Sequence, residues 1–379
     1  MHFVAWQMLT GDRAKYLGLI FAIAFSTFLM SHQVSIFCGL MSRTASQIDD
    51  VRDASIWVMD AKTLYLDEVK ALTDQDLYRI RGISGVEWAV PLFKGASRAK
   101  GPDGHFRAVI LMGHDDSTLT GIPRRIVHGD ITRLREPESI AIDQVGYEFF
   151  FPGQPYQLNR SLDLNDRTVR IVAIVDSNAP FVNLPVVYTR YTQALNFVGR
   201  ERNQMSFVLA KAIPGLPEGE LTGRIADRTG LKALTSSQFG WETIWYYMEH
   251  TGIPINFGIT VIIALIVGTV VAGQTFYLFT IENLKQFGAL KAIGVSDLRI
   301  VGMILMQALI VGAIGYGLGI SMTAIFFETT QSNLDLRGFR LLPIVMQGTA
   351  ATVFLIVFLA SAFSVRRVIV LEPAVVFRG

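Results

Sequence analysis

The sequence predicts an α-helical membrane protein with four transmembrane helices and one large extracytoplasmic α+β domain. Three observations predict it. Of 379 residues, 51% are hydrophobic, and the apolar residues gather in long charge-free runs. The runs flank a single block of ordinary mixed composition, residues 41–252. Lysine and arginine at the ends of the runs then set a direction across the bilayer.

A helix needs about 20 apolar residues to cross the hydrocarbon core. The stretches 16–40, 253–280, 300–327 and 343–363 meet that length without an Asp, Glu, Lys or Arg. A buried helix of a soluble protein rarely runs so far without a charge. Arg13 and Lys15 before the first run resemble the basic start of a signal peptide. No small-residue cleavage site follows at Leu29-Met30-Ser31-His32-Gln33, and 34–41 turns apolar again, so a retained helix is expected.

Segments 1–15, 281–299 and 364–379 hold eight Lys and Arg residues, against Arg337 and Arg340 in the short connection 328–342. The basic excess marks the cytoplasmic side. Both termini and 281–299 are therefore expected in the cytoplasm, and 41–252 and 328–342 on the far side of the membrane. A net charge of +2 gives no reason to propose nucleic acid as a partner. Cys38 is the only cysteine, so no intrachain disulfide is possible. The large block must hold itself together by its core.

Within that block, strand patterns fall at 54–59, 86–98, 106–112, 168–175, 186–189, 205–210 and 231–234. Thr73 is a natural N-cap for a helix to about residue 80, with acids in its first turn. A second helix starts at Pro217 and runs to about 228. Two α+β halves result, at about 51–114 and 181–240, with a β-rich insertion at about 115–180. Trp241, Trp245, Tyr246 and Tyr247 precede the second span. They suit a membrane interface or a helical stalk equally.

The motifs of independent chemistry are missing. No GxxxxGK[ST], HExxH or GxSxG occurs. His105 and His114 with Asp115 and Asp116 lack a ligand spacing, so no catalytic residue, metal or cofactor is expected in this chain. His32 alone is titratable within a span, which argues against ion-coupled transport. Gln307 and Gln347 suit hydrogen bonds between helices. Gly312, Gly315 and Gly319 lie inside the third span, where small residues allow helices to approach closely.

Residues 282–297, ENLKQFGALKAIGVSD, stand out. Ile281, Leu284, Phe287, Leu290 and Ile293 recur every three residues and are read as one apolar side of a short helix. Gly294 ends that helix. Ser296 offers an N-cap, and Asp297 an acid, to the span that follows. On the residues alone, this helix either docks a partner or lies on lipid headgroups.

Here the sequence resembles the FtsX/MacB family of ABC-transporter permeases. The resemblance rests on Lys285-Gln286-Phe287-Gly288-Ala289-Leu290-Lys291-Ala292-Ile293-Gly294-Val295-Ser296, against a family pattern basic-Glu-Ile-Gly/Ala-x-Leu-Lys/Arg-Ala-x-Gly-Ala-Ser. The ending Leu371-Glu372-Pro373-Ala374-Val375-Val376-Phe377-Arg378 is similar too. The stretches 251–260 and 273–277 look like the DevC-like branch. Gln286 stands where the family has an acid, with Glu282 one turn earlier.

The resemblance implies a non-enzymatic permease subunit with MacB-like porter halves outside the membrane. It further implies a coupling helix that docks on a separate cytoplasmic ATPase, which binds the ATP and Mg. Glu282, Lys285, Gln286, Phe287, Leu290, Lys291 and Gly294 become the coupling candidates. The implied partners are a second copy of the chain, a HlyD-like periplasmic adaptor and a TolC-like outer-membrane channel. An FtsX-like transducer that activates a periplasmic hydrolase, and a lipoprotein-releasing permease, are the alternatives the resemblance leaves open.

Overall fold

The structure, a computed structural model, describes residue 7 and residues 13–198, 204–331, 333 and 336–369. In chain order it begins with α1 (Arg13–Thr44), α2 (Ser46–Asp50), β1 (Ile56–Met59), α3 (Asp74–Arg81), β2 (Val86–Lys100) and β3 (Phe106–His114). Next come β4 (Ile126–Gly129), a 3-10 turn (Ile131–Arg135), β5 (Ser139–Asp143), α4 (Gln144–Phe150), β6 (Ser161–Leu164) and β7 (Arg167–Val175). They are followed by β8 (Val186–Arg190), α5 (Tyr191–Phe197), β9 (Phe207–Ala212), α6 (Glu218–Thr229), β10 (Lys232–Thr235) and α7 (Ser236–His250). The chain ends with α8 (Ile253–Glu282), α9 (Leu284–Ala292), α10 (Asp297–Thr330) and α11 (Pro343–Ile369). Two compact units result: a helical unit of residues 1–39, 252–332 and 339–379, and a mixed unit of 40–251 with 333–338.

In the helical unit, four helices are long and apolar enough to cross a membrane: Tyr16–Thr44, Ile253–Glu282, Asp297–Thr330 and Pro343–Ala362. α8 shows how such a helix is sorted. Ala264, Gly268, Ala272 and Phe276 recur every fourth residue and face inward. Ile255, Ile259, Ile262, Ile266 and Val270 stay exposed on the other side. Small residues inside and bulky aliphatics outside suit a lipid solvent, where packing rather than water exclusion brings helices together.

α10 follows the same rule. A Cβ on Gly315 would lie 2.8 Å from the Ile23 side chain, and one on Gly319 would lie 2.5 Å from the Ala24 carbonyl. A Cβ on Gly312 would meet Val357 of α11 at 2.8 Å. Ser31 and Thr323 share a buried hydrogen bond at 2.6 Å. His32 lies among Phe28, Phe326 and Phe327.

The mixed unit is built on one ten-stranded sheet. At one end the order is β10-β1-β9-β2 with every neighbour antiparallel, and α3 and α6 connect β1 to β2 and β9 to β10. This is the ferredoxin-like βαββαβ arrangement. Alternation assigns its two faces. Ile56, Val58, Val208 and Ala210 pack under Leu77 and Ile80 of α3 and Leu221 and Ile225 of α6. Trp57, Met59, Phe207 and Leu209 face the other way, with Phe239 of α7. Thr73 caps α3 through a capping box with Asp76.

The remaining strands close on themselves. β2, β3, β8, β5, β7 and β6 pair in that order, and β6 returns to β2 through Ala99 and Lys100. One contiguous apolar cluster takes Ala99, Leu111, Val187, Ile142, Ile171 and Leu162 from these six strands, joined by Tyr147 and Phe150 of α4 and Phe197 of α5. Strands from the two halves read from sequence interleave in one sheet. Residues 115–180 supply β4 to β7, and the barrel borrows β2, β3 and β8 from the flanks.

Candidate functional site

The segment between α8 and α10 lies within the helical unit. α8 stops at Asn283, whose side-chain amide donates to the Phe279 carbonyl at 2.8 Å. The chain turns there and starts α9 at once. α9 is held by Phe287, which is fully buried against Ile300 and Ile304 of α10, with Leu290, Val295 and Val365 around it. Lys291 turns the same way: its Nζ lies 2.7 Å from Asp297 and 3.1 Å from the Ile369 carbonyl.

The end of α9 is a complete Schellman motif. The Val295 N–H donates to the Leu290 carbonyl and the Gly294 N–H to the Lys291 carbonyl, both at 3.0 Å. Gly294 has φ +92°. A residue with a Cβ pays about 1–2 kcal/mol in that left-handed region. Leu290 and Val295 supply the apolar contact that accompanies such a cap. Ser296 sits at the N-cap position of α10 without a side-chain cap bond.

What remains exposed defines the outward face: Glu282, Lys285, Gln286, Ala289, Ala292 and Ile293, continued by Gly294, Leu298 and Arg299. Ile293 and Leu298 are 77% and 84% exposed. Burying either on a partner contributes roughly 2 kcal/mol.

This arrangement changes the residue assignment. Phe287, Leu290 and Lys291 were read from sequence as groups offered to a partner, but they fasten α9 to its own chain. Glu282, Lys285, Gln286 and Gly294 do lie at the surface. The reason is angular. On a helix of 3.6 residues per turn, a step of three residues falls short of a full turn by about 60°. A series at 281, 284, 287, 290 and 293 therefore winds around the helix, and Phe287 and Ile293 end about 120° apart. Counting by four from Lys285 reaches Ala289 and Ile293, so that row of the outward face was readable at the correct period; Ala292 lies off it, and Leu298 belongs to α10.

Elsewhere the polar groups serve the fold. His114 is buried, with its Nδ1 at 2.9 Å from the Thr120 carbonyl, and burial pushes its pKa down to about 4. Asp115 accepts from Ser117 and Thr118, and Asp116 accepts from Thr192. Among the described residues no group of three or more His, Cys, Asp or Glu is placed to hold a metal ion. The ending 371–378, and Arg378 with it, lies outside the described residues.

Residues 258–373 match the family described as FtsX-like permease C-terminal. The chain is similar to uncharacterized ABC transporter permeases of Mycobacterium tuberculosis and Mycobacterium bovis, at 29% identity over 231 residues, or 59% of this chain. It spans 58% of the length of those relatives. The periplasmic region of MacB from Actinobacillus actinomycetemcomitans is similar at 14% identity and a TM-score of 0.38, over 54% of this chain and 96% of that one. The extracellular domain of the noncanonic ABC-type transporter YknZ from Gram-positive bacteria is similar at 13% identity and a TM-score of 0.36, over 48% and 98%.

Proposed function

We propose, from the match of residues 258–373 to the family described as FtsX-like permease C-terminal, that the chain is the membrane subunit of an ABC exporter driven by a separate cytoplasmic ATPase. The observation that supports this most is α9: a short helix fixed by Phe287 between two membrane-length helices, with an outward face that mixes small and apolar residues with Glu282, Lys285 and Gln286. A helix resting on headgroups needs a broad apolar face toward lipid. α9 instead turns its largest apolar group onto its own chain and offers Ala289 and Ile293 between Lys285 and Gln286, with Ala292 beside Lys285. That surface suits a protein groove.

In this reading the partner ATPase holds ATP and Mg. Its closure moves α9, and α8 and α10, which flank α9, carry the movement as a nearly rigid body. The mixed unit, on the far side of an inner membrane with both termini cytoplasmic, passes the movement to substrate. A second copy of the chain, a HlyD-like adaptor and a TolC-like channel would complete a tripartite exporter of the DevC-like kind. Four spans and few polar groups within them leave little room for a substrate path through one chain, which favours work delivered to the mixed unit.

Co-purification from the native membrane, followed by ATP hydrolysis and export in proteoliposomes, tests this. Ile293→Asp is expected to lower ATPase association at least tenfold, equivalent to about 1.4 kcal/mol. Normal association and coupled export in that variant would exclude docking at this face. A cell-wall hydrolase co-purifying in place of an adaptor would move the reading to a transmembrane transducer, and release of lipoproteins to a lipoprotein-releasing permease.

A further inference from the structure

The loop between α10 and α11 belongs to the mixed unit through residues 333–338. The chain therefore passes between the two units not only at 39–40 and 251–252 but again at 332–333 and 338–339. A connection this short between two helices needs no seat of its own; exposed polar residues suffice. The structure gives it one. Arg337 Nη2 donates to Asp143 Oδ2 at 2.8 Å, with the aspartate side chain fully buried and the arginine side chain 13% exposed.

The receiving carboxylate is held in place before the arginine arrives. Asp143 ends β5, and its Oδ1 accepts the Gly146 N–H at 3.0 Å and the Val186 N–H at 2.9 Å. It thereby joins β5 to the start of α4 and the start of β8. The backbone of the loop is held as well. The Arg337 carbonyl accepts from Arg43 Nη2 at 2.5 Å, and Arg43 is itself buried. Asp50 of α2 adds negative charge facing the guanidinium and is fixed in turn by Asn178. The loop is thus gripped by its side chain on the barrel and by its main chain on the outer end of α1.

A buried ion pair is weak support for stability, because its desolvation offsets most of its attraction. What it does supply is a single seat, since any other placement strands one charge. We infer that Arg337 is a positioning residue that makes the α10–α11 loop travel with the barrel, so that movement of those helices reaches the mixed unit through this loop as well as through α1 and the α7–α8 connection. The inference rests on the proposed function for the source of movement, and on the geometry alone for the latch.

The test uses the full chain with its co-purified ATPase in proteoliposomes. An environment-sensitive dye is placed at Arg167→Cys, an exposed barrel position, in a Cys38→Ser background. The readouts are ATP hydrolysis, the ATP-dependent dye response, and hydrogen exchange at 336–339 and in the barrel at 140–142 and 171–174. Arg337→Ala is expected to speed exchange at 336–339, to speed barrel exchange through the carboxylate it strands, and to cut the dye response about fivefold or more while hydrolysis stays near wild type; Arg337→Ala combined with Asp143→Asn, which strands no charge, should bring barrel exchange back toward wild type and still lack the response. Arg337→Lys, which keeps the charge, should restore part of the response, and Arg340→Ala should leave it unchanged.

A full dye response in Arg337→Ala overturns the inference and leaves the proposed function standing. Unchanged exchange at 336–339 overturns the latch itself. No ATP-dependent response in the wild-type chain overturns the proposed function and this inference together.

Discussion

Two short segments join membrane-length helices within the second half of the chain, and they are built on opposite principles. Residues 283–296 are fastened by an apolar group, Phe287, and by a backbone cap at Gly294, and they leave a face exposed. Residues 333–338 are fastened by a buried charge pair and a gripped carbonyl. The first segment is stable without committing its outer side chains, so those remain free to meet a partner. The second commits the Arg337 charge to the chain itself. On the proposed function, the first is a surface for receiving motion and the second a seat for passing it on.

The largest expected effect breaks the second segment. Asp143→Asn leaves Arg337 buried without its anionic partner, and removing one member of a buried pair costs about 3–5 kcal/mol. The loss should appear in unfolding of the mixed unit, followed by the fluorescence of Trp57, which lies in that unit's core. The matching change in the first segment is Phe287→Ala. Truncating a buried phenylalanine costs about 3 kcal/mol or more in a closed core. Here the cluster is small, so the lower end is expected, and it should show as faster hydrogen exchange across 284–295 while the mixed unit's Trp57 transition stays in place.

Acidification sharpens the comparison, because His114 and Asp50 both sit in the mixed unit and both titrate away from their ordinary values. His114 has a folded pKa of about 4, set first by burial and partly opposed by the Thr120 carbonyl and Asp53. The ordinary histidine value is near 6.5. The unfolded chain then takes up a proton that the folded one refuses. Stability from this residue is whole above about pH 6.5 and falls by about 3 kcal/mol as the pH approaches 4. Asp50 has the opposite sign: burial raises its pKa to about 6, so its contribution is whole below about pH 4 and is lost as pH rises through 6. His114→Phe should remove the acid loss and leave the Asp50 trend, read from the pH dependence of the Trp57 transition. The anchor of α9 on α10 is apolar at Phe287 and should not follow the same curve.

The smallest effect is at the cap. Gly294→Ala forces a Cβ into a φ of +92° and is expected to cost about 1 kcal/mol, confined to exchange of the Val295 and Gly294 amides.

The membrane helices and the class of the soluble unit were legible in the sequence because both leave strong periodic traces. Charge-free runs longer than a bilayer is thick leave few alternatives, and Thr73 with Asp76 spells a helix start. The barrel was not legible. Its closure depends on β6 pairing with both β2 and β7, and a four-residue strand such as Ser161–Leu164 carries no signal of its partners. The interleaving of β1 between β9 and β10 is likewise a long-range fact. At the candidate site the helix and its glycine stop were readable, but the resemblance carried Phe287 and Leu290 over as contacts, and a three-residue count grouped them with Ile293 on one side, which the true helical period does not. The seat of Arg337 was hidden for a different reason: in sequence Arg337 is one of two arginines in a short polar connection, and its partner lies 194 positions away.

Docking at α9 as proposed depends on which of its sides faces a partner. Photoreactive side chains placed one at a time at Ile293, Ala289 and Phe287 in the full chain, cross-linked in native membranes, test it most directly. The account predicts a cross-linked ATPase from positions 293 and 289 and only intrachain products with α10 from position 287. A partner captured from position 287, with none from 293 or 289, would contradict it.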